Sequence, residues 1–247
     1  MISRRSLVLL PLAALAAHAA RAQPAARRYG AISVVGDQLT VVAYQPTTGS
    51  SIQRNERWPV PMKSTEIDDA ALLAVRGGMP AESAPLFYRV PADSYVRWQR
   101  AVDGSSVELP AEVGAALAQD GVTHLVLVSK FRAQASVEVQ DGRIGAGNLE
   151  GIGFYLDHGF ERVDRESGLT GKGFIAPYVY VQLSLIDVAA RRVVGRETVR
   201  SAKWTSAAAS RTGRDPWEAL TPDEKSRLIA DILTREVGSA VGRLVAG

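Results

Sequence analysis

The side chains that could do chemistry are few and fall in three places. Asp157 and His158 stand next to each other, with Glu161 and Asp164 close behind, and this supplies oxygen and nitrogen donors for a metal or for proton transfer. Adjacent residues point to opposite faces of a strand, however, and no second histidine lies nearby to complete a zinc-type set. The segment therefore reads as a solvated acidic loop, and no metal is expected. Asp37, Asp157 and His158 make up the one weak polar constellation suited to acid–base work. His124 lies inside an apolar run and reads as a packed strand residue with one hydrogen bond rather than a general base. Gly145-Ala146-Gly147-Asn148-Leu149-Glu150-Gly151 carries its last glycine one place late for a dinucleotide fingerprint. Thr170-Gly171-Lys172-Gly173 lacks the hydroxyl residue that follows the lysine of a phosphate loop. Both read as turns, and no cofactor is expected.

The block Val35-Gly36-Asp37-Gln38-Leu39-Thr40 resembles the Gly-Asp-Ser-Leu motif of exported SGNH esterases, which also follows a first strand. That resemblance implies a hydrolase. Gln38 stands where the nucleophile would be, and an amide cannot attack an acyl carbon. The late Asp-x-x-His pairing of those enzymes is also missing, so Gly36-Asp37 reads as a turn. With no cysteine in the chain, thiol catalysis, Cys-ligated metals and disulfides are excluded.

The chain opens with Met1-Ile2-Ser3-Arg4-Arg5, an apolar stretch from Leu7 to Ala17, and then Ala20-Arg21-Ala22. A cationic start, a short apolar run and a small-x-small close are the parts of an export signal, so residues 1–22 are expected to be cleaved and Gln23 to begin the mature chain. Ser3-Arg4-Arg5-Ser6-Leu7 resembles the twin-arginine motif of proteins exported already folded, although paired arginines also occur in ordinary secretory leaders. Either route ends outside the cytoplasm, and a periplasmic location is expected. Arg4, Arg5 and Arg21 are three of 29 basic residues, so the remainder balances the 26 acidic ones. The precursor's pI of 9.3 is thus no argument for nucleic acid, which needs a clustered cationic face. No stretch after residue 22 is long and apolar enough to span a bilayer.

Residues 23–247 suit one α/β domain, since 46% hydrophobic residues over the whole chain supply a core. Tyr29 to Tyr44 reads as a hairpin turned at Gly36-Asp37. A loop at Pro46 to Ser51 and a short strand within Ile52 to Val60 follow. Ile67 to Arg76 has helical spacing and stops at Gly77-Gly78. Met79 to Pro91 is an irregular connection holding a short strand, Leu86 to Val90. Pro110 to Gln119 reads as a helix and Thr123 to Phe131 as a strand buried on both faces. Tyr178 to Asp187 and Val193 to Trp204 form a second hairpin. Thr221-Pro222-Asp223-Glu224 is a capping box that opens an amphipathic helix reaching about Val245. The expectation is an α+β or α/β fold: a single mixed sheet with helices packed on it and an amphipathic C-terminal helix. The four tryptophans, Trp58, Trp98, Trp204 and Trp217, are assigned to the core.

Three segments carry a family resemblance: Gly121-Val122-Thr123-His124-Leu125-Val126-Leu127; Tyr180 to Asp187 followed by Arg192-Val193-Val194; and the closing helix. From Pro110 to Gly247 the chain resembles the curli-secretion channel lipoproteins, the penicillin-binding-protein activator lipoproteins and the N-terminal domain of the Tol-system propeller protein. The resemblance implies a small α/β sandwich that binds other envelope proteins and performs no chemistry. The lipid-bearing cysteine of the lipoproteins is absent. About residues 141–175 the sequence turns glycine-rich, with Ile152, Phe154, Tyr155, Phe160 and Phe174 interleaved with charge. These five residues are the candidate contact surface for an envelope protein partner, the alternative being that they fold back as extra strands of the sheet. The expected function is a non-enzymatic envelope accessory or assembly factor, with a degenerate SGNH-like hydrolase or a periplasmic small-ligand binder as the alternatives.

Overall fold

A computed structural model describes residues 27–36, 38–45, 55–61, 66–102, 106–139, 142–163, 170–206 and 215–247, with backbone only at 161–163, 170–172, 205 and 206. The predicted export leader, Asp37, the predicted loop Pro46 to Ser51 and Asp164 lie outside the described residues, as does the side chain of Glu161.

Among the described residues, ten strands join in one mixed sheet. The strands that set its plan are β1 (Tyr29–Ser33), β2 (Gln38–Tyr44), β3 (Glu56–Pro61), β4 (Leu86–Phe87), β5 (His124–Lys130), β9 (Asn148–Val163), β10 (Thr170–Asp187), β11 (Arg192–Ala202) and β12 (Thr205–Ser206). Pairing registers reduce them to a few long columns. Along one side of β10, Val181 faces Lys130 of β5 and the preceding Tyr180 faces Gly151 of β9, so β5 and β9 are two halves of one line. Beside that line, β1 runs parallel to β5 and β2 runs parallel to β9. β1 and β2 are therefore also collinear.

Gly36-Asp37 is accordingly not a hairpin turn. The chain kinks at Gly36 between two strand segments that keep the same direction, and Gly36 takes a positive φ of 101° there. The kink is held from one side chain. Oδ1 of Asp68 accepts hydrogen bonds from Ser33 Oγ (2.5 Å), Val35 N (3.0 Å) and Gly36 N (3.2 Å), and Oδ2 accepts from the Tyr95 hydroxyl (2.6 Å). Asp68 sits in the first turn of α1 (Glu66–Gly78), where the helix dipole also favours a carboxylate.

Period-two alternation sends the sheet's side chains to two faces. On one face, Val41, Val126, Phe154, Ile175 and Leu183 pack beneath α1 and a C-terminal helix. That helix opens as α4 (Pro222–Ile232), passes through a π-helical turn (Leu233–Val237) and closes as α5 (Gly238–Ala246). The capping box forms as expected: Thr221 Oγ1 accepts from Glu224 N, and Glu224 Oε2 accepts from Thr221 N. The opposite face is covered in two parts. Ile32, Leu125 and Leu127 pack with Trp98 of α2 (Tyr95–Ala101) and Leu117 of α3 (Ala111–Gln119). Tyr155, Phe174, Tyr178 and Tyr180 pack under a flap made of β6 (Arg132–Gln134), β7 (Val137–Val139) and β8 (Gly142–Ile144). The hairpin of β10 and β11 is present as predicted, with Arg191 in its turn at a φ of +50°. Trp98 is fully buried, while Trp58, Trp204 and Trp217 are partly buried against the core.

Candidate functional site

The predicted contact surface is not a surface. Ile152, Phe154, Tyr155 and Phe174 are between 0 and 1% exposed and lie in the two cores, and Phe160 is half-buried in ring contact with Phe174 and Trp204. The glycine-rich stretch became central sheet, β9 and β10, because its glycines serve strand packing. Gly151 holds a positive φ of 70°, and a Cβ on Gly153 would run into the Thr40 backbone of the neighbouring strand. The Tyr178 ring stands opposite Gly153 in the register and its hydroxyl donates to Thr40 O (3.1 Å). The excursion that does leave the sheet is the flap between β5 and β9. It is pinned by tyrosines: Ala146 N donates to the Tyr155 hydroxyl, and Ser136 N donates to the Tyr180 hydroxyl (3.1 Å each). Burial raises the phenol pKa of Tyr155 to about 12 and pushes that of Tyr178 up further.

Of the weak polar constellation, Asp37 lies outside the described residues, and Asp157 and His158 turn to different partners. Asp157 Oδ1 accepts from Gly159 N (2.8 Å) and Phe160 N (3.1 Å), which closes a local turn. His158 instead faces Asp215, at 3.5 Å from Nε2 to Oδ1. Asp215 also accepts from Trp217 N (2.9 Å) at the start of a short 3-10 turn. No group of metal-binding side chains converges among the described residues.

The site that the sequence did not disclose is a cleft of about 770 Å³ beside α3. Ala111, Gly114, Ala115 and Ala118 give α3 a small-residue wall, the β10–β11 turn from Asp187 to Arg191 forms the other side, and Val122, Thr123 and His124 lie between. His124 Nδ1 is 2.9 Å from Thr123 Oγ1, and its ring lies 5.8 Å from that of Tyr29. Burial, helped by the Arg27 charge and opposed by Asp187, holds the imidazole pKa below its ordinary value. A neutral imidazole at the mouth of an apolar cleft can orient a ligand through one hydrogen bond. Asp187 is the cross-strand partner of His124, but its Oδ1 accepts from Ala190 N (2.8 Å) within the turn. The Thr123 hydroxyl beside the ring is also tied to the backbone, accepting from Arg28 N (3.0 Å) and lying 3.2 Å from Arg28 O.

The second accessible feature is the outer edge of β11. One side of this strand pairs with β10 from Arg192 to Ala202. On the other side an antiparallel bridge from Ser106 meets Arg192, and a parallel bridge from Glu138 meets Lys203. Between those two bridges no other strand of the described residues lies along β11.

No known family model matches the chain, and no curated protein matches it. Among solved structures it is similar to a DUF330 protein from Xanthomonas campestris, at 11% identity and a TM-score of 0.40, covering 90% of this chain and 85% of that one. It is also similar to PelC from Paraburkholderia phytofirmans, solved as a dodecamer, at 11% identity and a TM-score of 0.33, covering 90% of each chain. These likenesses carry no argument about activity or partner. The fold itself is the expected one, a mixed sheet with helices packed on it and a C-terminal helix. No helix among the described residues is long and apolar enough to cross a membrane.

Proposed function

We propose that this chain is an exported accessory or assembly domain of the cell envelope, akin to the α/β envelope domains it resembles from Pro110 to Gly247, and that it acts through protein–protein contacts rather than chemistry. The observation that carries this reading is the outer edge of β11, an eleven-residue strand along which no other strand of the described residues pairs between two bridges. An open edge is a row of amide and carbonyl groups ready to pair with another chain, and such edges are a recurrent means of protein recognition. The leader motif of residues 1–22 supports export. The test is crosslinking of the tagged protein in intact cells, with partners identified by mass spectrometry and the mature N-terminus sequenced. Specific recovery of an envelope assembly together with a chain beginning at Gln23 supports the reading; recovery of nothing above background removes it.

A second reading, a periplasmic small-ligand binder, rests on the His124 cleft, whose volume and mostly apolar lining, with Thr123, His124, Asp187 and Arg191 as its polar groups, fit a small ligand. A panel of small apolar acids and amides screened by thermal shift tests it. A ligand that stabilises the protein but fails to stabilise Ala115→Trp, in which the wall is filled, supports this reading.

A further inference from the structure

The hydrogen bonds around Thr123 fix which nitrogen of the His124 ring carries hydrogen. The Arg28 carbonyl accepts from Thr123 N (2.9 Å) and His124 N (3.1 Å), and Thr123 Oγ1 accepts from Arg28 N (3.0 Å). The one hydroxyl proton of Thr123 is therefore directed to His124 Nδ1, at 2.9 Å, rather than to the doubly engaged carbonyl at 3.2 Å. A ring nitrogen that accepts leaves the other to carry the hydrogen, so Nε2 is a donor. A doubly protonated ring would carry hydrogen at Nε2 as well. Nε2 has no partner among the described residues.

The rest of the His124 cleft is matched to that donor. Arg191, in the lining, is the one residue other than glycine with a positive φ among the described residues, and its guanidinium has no partner among them. Left-handed backbone at such a residue is a cost that recurs where a side chain is held for a ligand. Asp187 is the acid of the lining, but its Oδ1 accepts from Ala190 N (2.8 Å) within the turn, and at the imidazole the Arg27 charge outweighs that of Asp187. The field at the ring therefore has the sign that attracts an anion. An ammonium group would meet a donor and a net positive field there. Across the cleft, Ala111, Gly114, Ala115 and Ala118 recur at helical spacing along about 10 Å of α3, a shelf that carries no long side chain.

We propose that this cleft binds a small apolar carboxylic acid as its anion, with the carboxylate accepting from His124 Nε2 and paired with Arg191, and the hydrocarbon lying along Ala111, Ala115 and Ala118. A carboxylate has an acceptor oxygen for each of the two donors and a charge for the guanidinium. An amide of the same chain length has neither the second acceptor nor the charge. The volume of about 770 Å³ is that of a small-molecule site. This inference rests on the small-ligand reading above and names the chemistry of the ligand.

The test titrates the purified full chain with octanoate, octanamide and octylamine, which share one chain length and differ in head group, by isothermal titration calorimetry at neutral pH. The titrations are repeated on Ala115→Trp, which fills the shelf from an exposed position, and on His124→Phe, Arg191→Gly and Arg191→Lys, each with its own thermal melt to confirm folding. Octanoate should bind at least about tenfold more tightly than the other two, weaken about tenfold in His124→Phe and in Arg191→Gly, and be largely kept in Arg191→Lys. Its binding should be lost in Ala115→Trp. The inference is overturned by octanamide or octylamine binding as tightly as octanoate, by octanoate binding indifferent to both His124→Phe and Arg191→Gly, or by octanoate binding that survives Ala115→Trp. Where octanamide or octylamine binds and Ala115→Trp blocks it, the small-ligand reading survives. No binding of any of the three removes both, and a dimer in sedimentation that Ala115→Trp dissociates would then give the cleft to a second copy of the chain.

Discussion

Gly78, the last residue of α1, packs directly on the backbone carbonyl of Gly238, the first residue of α5. A Cβ on Gly78 would collide with that carbonyl, and Gly242, one turn further on, lies against the Gly78 carbonyl. The two helices cross here without side chains between them, which seats both close to the sheet. Gly77, its neighbour in sequence, has nothing within 4 Å of its own ideal Cβ.

The pair Gly77 and Gly78 therefore separates packing from propensity. Gly78→Ala should destabilise the protein by about 1–3 kcal/mol through overpacking. Gly77→Ala should stabilise it by up to about 1 kcal/mol through helix propensity. Chemical denaturation of the two variants reads both signs, and equal effects would remove the close crossing as the explanation.

Asp68 holds the β1–β2 kink through three donors and takes a fourth hydrogen bond from Tyr95. Asp68→Ala leaves buried donors without acceptors and should cost at least about 3 kcal/mol. Tyr95→Phe removes one bond at the half-buried oxygen and should cost about 1 kcal/mol. In a double-mutant cycle the two effects should fail to add, because the Tyr95 hydroxyl has already lost that acceptor in Asp68→Ala. Additive losses would mean that Tyr95 stabilises the fold by another route.

The His124 imidazole is held below its ordinary pKa, so the folded state binds this proton less readily than the unfolded chain does. Its contribution to stability is present above about pH 6.5 and is lost as the pH falls through that value toward the lower folded pKa. Denaturation midpoints measured on either side of that pH should decline on the acid side, and His124→Gln should flatten this part of the profile. A profile unchanged in His124→Gln would assign the acid sensitivity to other groups.

Arg191 occupies the left-handed region in the β10–β11 turn, where its carbonyl accepts from Val107 N (2.8 Å). Left-handed backbone costs an ordinary residue about 1–2 kcal/mol, partly offset when glycine replaces it by the entropy of the unfolded chain. Arg191→Gly should therefore raise stability by about 0.5 kcal/mol, and the β-branched Arg191→Val should lower it by more than about 1 kcal/mol. Thermal melts of the two variants shifting in the same direction would contradict this account of the turn.

The readable parts of the chain were those whose signal is local. Thr221 and Glu224 announce a helix start within four residues, and the β10–β11 hairpin follows from two alternating runs with a short link. The apolar run from Leu125 to Val128 could be read as a strand covered on both faces for the same reason. Ile152, Phe154 and Leu156 alternate with period two as a strand should, yet Gly151 and Gly153 beside them give the segment the composition of a loop. Their purpose lies across the sheet, at Thr40 and Lys130, and a contact more than twenty residues distant leaves no local mark. Asp68 shows the same limit, since an acid in a first helical turn is ordinary and only the tertiary fold brings it to the kink. Gly36-Asp37 has hairpin chemistry, but the parallel pairing offered by β5 and β9 lets the chain continue forward instead of turning back.

The collinearity of β5 and β9 makes the flap a removable cassette. Lys130 and Gly151 occupy successive positions opposite Val181 and Tyr180, so the ladder along β10 reads through as if the residues between them were absent. Backbone hydrogen bonding of the main sheet therefore places little constraint on what is spliced in at that junction. The constraint comes instead from the face beneath, where any replacement segment would have to cover Phe174 and Tyr178 and satisfy the phenol groups of Tyr155 and Tyr180. The cover over this face can thus be rewritten while the sheet beneath it stays the same.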